Sequence, residues 1–154
     1  MEPKMIKKIF LSLFLLLSLT LTPAMAQPKA SKPVEYVTVS ATEVVDRPAA
    51  YLGKYVKITA VFNKFSTLGL DYKPAYRNSK DYISFLVKRD NVSDHVVPLS
   101  ELKIFITRNK AEKLVDLESG DKIEIKGKVF SNALGDAWME AYEVKNLEQK
   151  PPKK

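Results

Sequence analysis

His95 is the one imidazole in the chain, in Asp94-His95-Val96-Val97 at the head of an apolar stretch. A Ser-His-Asp hydrolase would need it as general base, but no G-x-S-x-G elbow accompanies it, and a surface or strand-edge histidine is the simpler reading. The absence of cysteine excludes disulfides, thiolate metal sites, cysteine nucleophiles and a cysteine-linked lipid anchor. Asp90-Asn91-x-Ser93-Asp94 gathers hard oxygen ligands but lacks the later glycine and glutamate of a calcium-binding loop. Those residue types favour turns, because their short side chains bond nearby amides. No metal and no cofactor are therefore expected. The five glycines are scattered and form no phosphate cradle. Most carboxylates alternate with lysine along strand-like runs, the pattern of a solvated face rather than of an acid–base pair. These signals describe a non-catalytic protein.

The segment from Ser66 to Lys80 is more informative. It is long for a connection between strands, and Tyr72, Lys73, Tyr76, Arg77 and Lys80 interleave aromatic and basic side chains. Such rings can stack on bases or sugars while the cations meet phosphates. The competing account folds the tyrosines back over the protein and leaves the cations to keep the loop soluble. Lys57, Lys88, Arg89 and Arg108 could extend a basic face, interrupted by Glu124, Glu140 and Glu143.

What positions these residues depends on which of the 154 form the fold. The chain carries 25 Lys and Arg against 18 Asp and Glu, a formal charge of +7. Residues 1–26 read as a secretory signal peptide: Lys4, Lys7 and Lys8, an apolar run Ile9–Leu21, then Pro23 and Ala24-Met25-Ala26. The run is too short for a membrane span, which needs about 20 apolar residues. Cleavage after Ala26 would deliver an exported protein to the periplasm or medium, with no stable membrane insertion. Its loss removes three lysines and Glu2 and leaves +5. Residues 27–35 and 148–154 are rich in proline and lysine and read as disordered tails. The interval 36–147 then holds 17 cations and 15 anions, a net +2, so most of the basic character lies outside the expected domain. That balance argues against strong, salt-dependent DNA binding.

Within 36–147 the periodicity predicts an all-β domain with little helix. Ser40-x-x-Glu43 is a capping box opening a short helix, Pro48 suits a first helical position, and Gly53 marks a stop. Period-two alternation predicts strands at Tyr55–Phe62, Tyr82–Arg89, Lys103–Thr107, Asp121–Phe130 and Ala137–Leu147, the last with a break in phase that suggests a bulge. One helix is expected between the third and fourth strands, capped by Asn109 and burying Ala111, Leu114 and Val115. Gly127 in mid-strand fits a place where a side chain would obstruct tight coiling. Five strands with the helix between the third and fourth is the order of the OB-fold, a five-stranded Greek-key barrel.

Two stretches carry a resemblance. Glu43 to Ile58, with its Tyr51-Leu52-Gly53-Lys54-Tyr55-Val56 turn, resembles the opening of exported, periplasmic bacterial OB-fold proteins, and Gly120-Asp121-Lys122-Ile123-Glu124-Ile125-Lys126-Gly127-Lys128-Val129 is similar to their fourth strand. The resemblance spans about residues 40–147 and implies the nucleic-acid-binding OB superfamily, with no catalytic residue to carry over. OB-folds bind oligonucleotides and oligosaccharides between the first and last hairpin loops. The candidate ligand-binding residues are accordingly Lys57, Tyr72, Lys73, Tyr76, Arg77, Lys80 and Arg89, with Trp138 as an outer aromatic beside the Ser131–Gly135 turn. The expected function is an exported, non-catalytic binding or interaction module of the bacterial cell envelope, its partner an envelope protein, a glycan or another ligand. The alternative is a single-stranded nucleic-acid binder, and the least favoured is a small hydrolase using His95.

Overall fold

In the computed structural model the described residues are 33–67, 69–90, 92 and 97–148. The signal peptide, most of the 27–35 tail, the end of the C-terminal tail, His95 and most of the Asp90–Asp94 cluster lie outside them.

Ser40 caps the first helix as expected: its hydroxyl accepts from the Glu43 amide at 3.1 Å, opening α1 (Ala41–Asp46). The reciprocal half of the capping box is absent. Glu43 turns instead to the Tyr51 hydroxyl at 2.6 Å and to Arg47, tying α1 to the one-turn helix α2 (Pro48–Tyr51). Pro48 occupies the first turn of α2, and Gly53 reverses the chain at φ +78° into the barrel. A strand of two residues, β1 (Val37–Thr38), precedes these helices and runs parallel to the start of β2. At two residues it is too short for an alternation to register, and the sequence reading missed it.

The barrel strands are β2 (Tyr55–Ser66), β3 (Tyr82–Val87), β4 (Leu102–Thr107), β5 (Lys122–Ser131) and β6 (Ala137–Asn146). Along the first part of β2 the alternation holds: Val56, Ile58, Ala60 and Phe62 are buried and Thr59 is exposed. The strand runs four residues beyond its expected end, because it serves two neighbours. Tyr55–Val61 pair antiparallel with β5, and after an irregularity at Asn63 the remainder pairs with β3. The order β2-β3-β4-β6-β5 closes through the β2–β5 pairing, with β4 and β6 parallel. A closed five-stranded barrel whose helical connection lies between the third and fourth barrel strands is an OB-type fold.

That connection departs from expectation. It is one α-helical turn, α3 (Arg108–Ala111), followed by a 3₁₀ turn (Glu112–Leu114), and Thr107 rather than Asn109 stands at its start. The residues packed on the core are Ala111, Leu114 and Leu117, three apart, while Val115 is exposed. A three-residue repeat is the period of a 3₁₀ helix, which explains why the α-helical spacing selected Val115 wrongly.

The expected bulge is present. Lys126 faces Glu143 but Gly127 faces Ala141, so Tyr142 is the extra residue on β6. The barrel core is continuous from Val56 and Ile58 through Ile104 and Ile106 to Ile123, Ile125 and Met139. A second, smaller cluster lies outside it, with Leu70, Ala75, Phe105 and Trp138 at its centre.

Candidate binding surface

The second cluster shows where the long loop goes. On β4 and β6, Ile104, Ile106, Met139 and Ala141 belong to the barrel interior, whereas Phe105 and Trp138 alternate with them and point outward. Two large rings facing outward would normally be wet. Here the chain between β2 and β3 folds over them. A turn brings the Tyr72 amide to Gly69 O at 3.2 Å, a 3₁₀ turn spans Lys73–Ala75, and the Arg77 amide returns to Leu70 O at 3.1 Å. Leu70 and Ala75 are thereby buried, and Tyr72 stacks on Trp138 with centroids 5.2 Å apart. Trp138 stacks in turn on Phe105 at 6.0 Å, and its indole N–H donates to Ala133 O at 2.7 Å.

Trp138 is thus a correction to the sequence reading. It is 1% exposed and serves as the floor beneath the loop, not as an outer aromatic open to a ligand. Arg77 likewise faces inward. Its guanidinium lies 3.7 Å from the centroid of Phe130 and donates to Glu140 at 2.9 and 3.2 Å, while the Tyr82 hydroxyl donates to the other Glu140 oxygen at 3.0 Å. Burial and the hydrogen bond to Glu140 push the Tyr82 phenol upward. Glu140 is therefore a clasp that fastens the loop to β6. From sequence alone it is legible only as an interruption of a basic face.

The remaining candidates divide by position. Lys73, Tyr76 and Lys80 stay on the solvent side of the loop, with Tyr76 53% exposed. Asn78 fixes the loop's return: its carbonyl accepts from the Asp81 and Tyr82 amides, and its side chain bonds Asp81 and the Lys80 amide. Lys80 then lines an open hollow of about 350 Å³ with Asp81, Thr107, Arg108 and Asn109. Arg108 is held there by a 2.8 Å bond from its Nε to Ser79 O. Lys57 and Arg89 do not join this group. Lys57 lies 3.9 Å from Glu124 on β5, and Arg89 pairs with Glu101 at 2.5 Å.

Three further tyrosines, not among the site candidates of the sequence, line up on the barrel. Tyr36 meets Tyr55 edge-on at 5.9 Å, and Tyr55 meets Tyr142 at 6.1 Å, forming a row across the outside of β2, β5 and β6. Lys128 lies over Tyr55 and Lys110 over Tyr142. Tyr55 is in the outward phase of its strand, so its polarity class was legible, but the row depends on the Tyr142 bulge.

Three paired carboxylates predict the acid limb of stability. Glu143 is held below the usual carboxylate range by hydrogen bonds from Lys145 and Lys126. Glu101 is lowered by its own backbone amide and by Arg89, and Glu43 by Tyr51 and Arg47. A depressed folded value contributes stability above the unfolded value and loses it as pH falls through the folded one. The urea midpoint is therefore expected to be flat near neutrality and to fall below about pH 4.5, the ordinary glutamate value. Glu143→Gln should shallow that limb; an unchanged limb would show that these ion pairs add nothing to folding.

No protein-family model matches the chain, and no curated protein matches it. Among solved structures it is similar to asparaginyl-tRNA synthetase from Pyrococcus horikoshii complexed with asparaginyl-adenylate, at 15% identity and a TM-score of 0.49. That match covers 74% of this chain and 23% of the synthetase, so the chain spans about a quarter of its length. It is also similar to OBody AM1L10 bound to hen egg-white lysozyme, at 13% identity and a TM-score of 0.43, covering 66% and 85% of the two chains. A third is the S. pombe Stn1-Ten1 complex, at 11% identity and a TM-score of 0.40, covering 62% and 59%.

Proposed function

We propose that this chain is an exported, non-catalytic OB-fold binding module of the bacterial cell envelope, and that its partner meets the outer side of the 67–81 loop. The observation that supports this reading is the packing of that loop on Phe105 and Trp138. A loop of this length left loose would pay an ordering cost on binding; one held by a buried cluster and the Arg77–Glu140 clasp pays little. Lys73, Tyr76 and Lys80 are then displayed on the solvent side of the loop, with Lys80 at the edge of the hollow it shares with Arg108. Export rests on the signal-like residues 1–26, and the non-enzymatic reading on the lone histidine and absent cysteine.

The test is photo-crosslinking in cells that make the full chain. Tyr76→p-benzoylphenylalanine is expected to yield a discrete adduct in the periplasmic fraction, and Asp116→p-benzoylphenylalanine, at an exposed site beyond α3, none. Equal or absent adducts at both sites, or a chain retained in the cytoplasm, would overturn the reading. The nucleic-acid alternative predicts binding of a labelled oligonucleotide that weakens steeply between low and high salt.

A further inference from the structure

The outer face of β2, β5 and β6 carries a run of cations. Outward positions on these strands bring Lys57, Lys122, Lys126, Lys128 and Lys145 together with only Glu124 and Glu143. Glu140, the remaining acid of β6, is taken up by Arg77. Lys57 and Lys126 are direct cross-strand partners, a like-charge pairing that disfavours the folded sheet unless anions are near. Glu124 lies 3.9 Å from both, and Glu143 reaches Lys126 and Lys145, leaving the face with a net excess of three positive charges. Lys110 and Lys113 continue it across a hollow of about 240 Å³ beside Tyr142, room for one phosphate headgroup.

The tyrosine row crosses this face. Its rings are not open stacking platforms, since Lys128 sits 5.5 Å over Tyr55 and Lys110 5.7 Å over Tyr142. Rings whose faces are taken by ammonium groups suit base stacking poorly. Half-buried tyrosines flanked by lysines are instead the chemistry of a membrane interface, where an apolar body meets a polar edge and lysine stems spread over it. The ends of the described chain point the same way. It enters the face at Tyr36 and leaves beside Lys122, whose carbonyl accepts from the Leu147 amide at 2.8 Å. The sequence from 27 to 35 carries Lys29 and Lys32 against Glu35, and the sequence after Leu147 carries Lys150, Lys153 and Lys154 against Glu148, so both remain basic.

We infer that this face adsorbs, without inserting, to an anionic phospholipid surface. The inference rests on the export proposed above, and it leaves the loop side of the barrel free for a partner.

The test uses residues 27–154 and sedimentation with phosphatidylglycerol–phosphatidylcholine vesicles against pure phosphatidylcholine vesicles. Binding is expected only to the anionic vesicles and is expected to vanish at high salt, where the Debye length shrinks to about 3 Å. Lys122→Gln and Lys128→Gln should each weaken it about fivefold. Tyr55→Ser should weaken it further, with Tyr55→Phe retaining more, while melting curves confirm that each variant folds. Equal binding to both vesicle types, no binding, or a loss confined to Lys150→Gln, Lys153→Gln and Lys154→Gln would overturn the assignment. So would a labelled oligonucleotide that binds through Tyr55 while the vesicles do not. Crosslinking from position 76 reports the loop side separately, so adducts there with no vesicle binding would sink this inference and spare the function proposed.

Discussion

Gly127→Ala is expected to lower the stability of the barrel by about 4 kcal/mol, a value reserved for substitutions with a specific steric cause. For a domain of this size that corresponds to a fall in Tm of roughly 15 °C. Gly127 does not have a positive φ, unlike Gly53, Gly69, Gly120 and Gly135, so alanine suits its backbone. Chain entropy alone would then make the change favourable by about 0.4–1 kcal/mol. Packing reverses the sign. A Cβ at this position would lie 2.2 Å from Glu140 O and 2.9 Å from Glu140 C, and 2.7 Å from Met139 Cε. The methionine could swing away, but the two backbone atoms cannot without separating β5 from β6. The Tyr142 bulge shifts the register between β5 and β6 at Gly127, where β6 presses its Glu140 carbonyl onto the glycine. Urea unfolding of the two proteins measures the difference directly. A variant as stable as the parent would mean that the strands sit farther apart than the structure has them.

The same residue shows what was legible in the sequence. A glycine inside Lys122–Phe130, where every other inward position is Ile or Val, already pointed to a close approach, and the structure supplies the carbonyl that approaches. Strand phase was legible wherever one side of the sheet met the core and the other met water. It failed on β3, where Ser84 and Leu86 are buried as well as Phe85 and Val87. Period two assumes one wet face, and the structure adds a second apolar layer on the other. Phe105, Phe130 and Trp138 were the available signal: three large rings in the outward phase of three strands imply something covering them. Their cover was the loop chosen as the binding site, so the basic–aromatic pattern was sorted by contact rather than by residue type. Tyr72 and Arg77 became structural, and Lys73, Tyr76 and Lys80 stayed outside. No local pattern could separate them, because the partners, Glu140 and Trp138, lie about 60 residues away in sequence.

This sorting changes what net charge says about partners. The domain's modest +2 conceals an uneven distribution. Arg77, Arg89 and Lys103 are paired with Glu140, Glu101 and Asp136 around the loop side, which leaves that side nearly neutral. The excess gathers on β2, β5 and β6, where the lysines outnumber the acids and both chain ends are basic. A surface can steer binding by local field even when the total is small. Two faces of different character on one barrel fit a module that holds one thing while resting on another.

The loop's dependence on its floor gives the second large effect. Trp138→Ala is expected to cost about 3–4 kcal/mol, in the range for emptying a buried aromatic site. The indole is sandwiched between Tyr72 and Phe105 at interplanar angles near 20°, and an ideal Cβ on Gly69 would lie 3.1 Å from its ring. Truncation removes both stacks and the hydrogen bond to Ala133 O. Because this cluster lies outside the barrel core, the loss should open the loop at a lower free energy than it unfolds the strands. Trypsin reads that opening directly at Arg77 and Lys80, since Lys73 is shielded from it by Pro74. Trp138→Ala is expected to be cut there rapidly under conditions in which the parent resists and the barrel fragment stays folded. Trp138→Phe keeps a ring in the stack but loses the donor and part of the ring volume, so it should cost about 1–2 kcal/mol and leave the loop protected. Crosslinking from position 76 should fall with loop order in the same sequence, alanine well below phenylalanine. If the alanine variant keeps a protected loop, the loop is held by Arg77 and Glu140 rather than by the buried rings, and the fixed display of Lys73, Tyr76 and Lys80 must be assigned to that clasp.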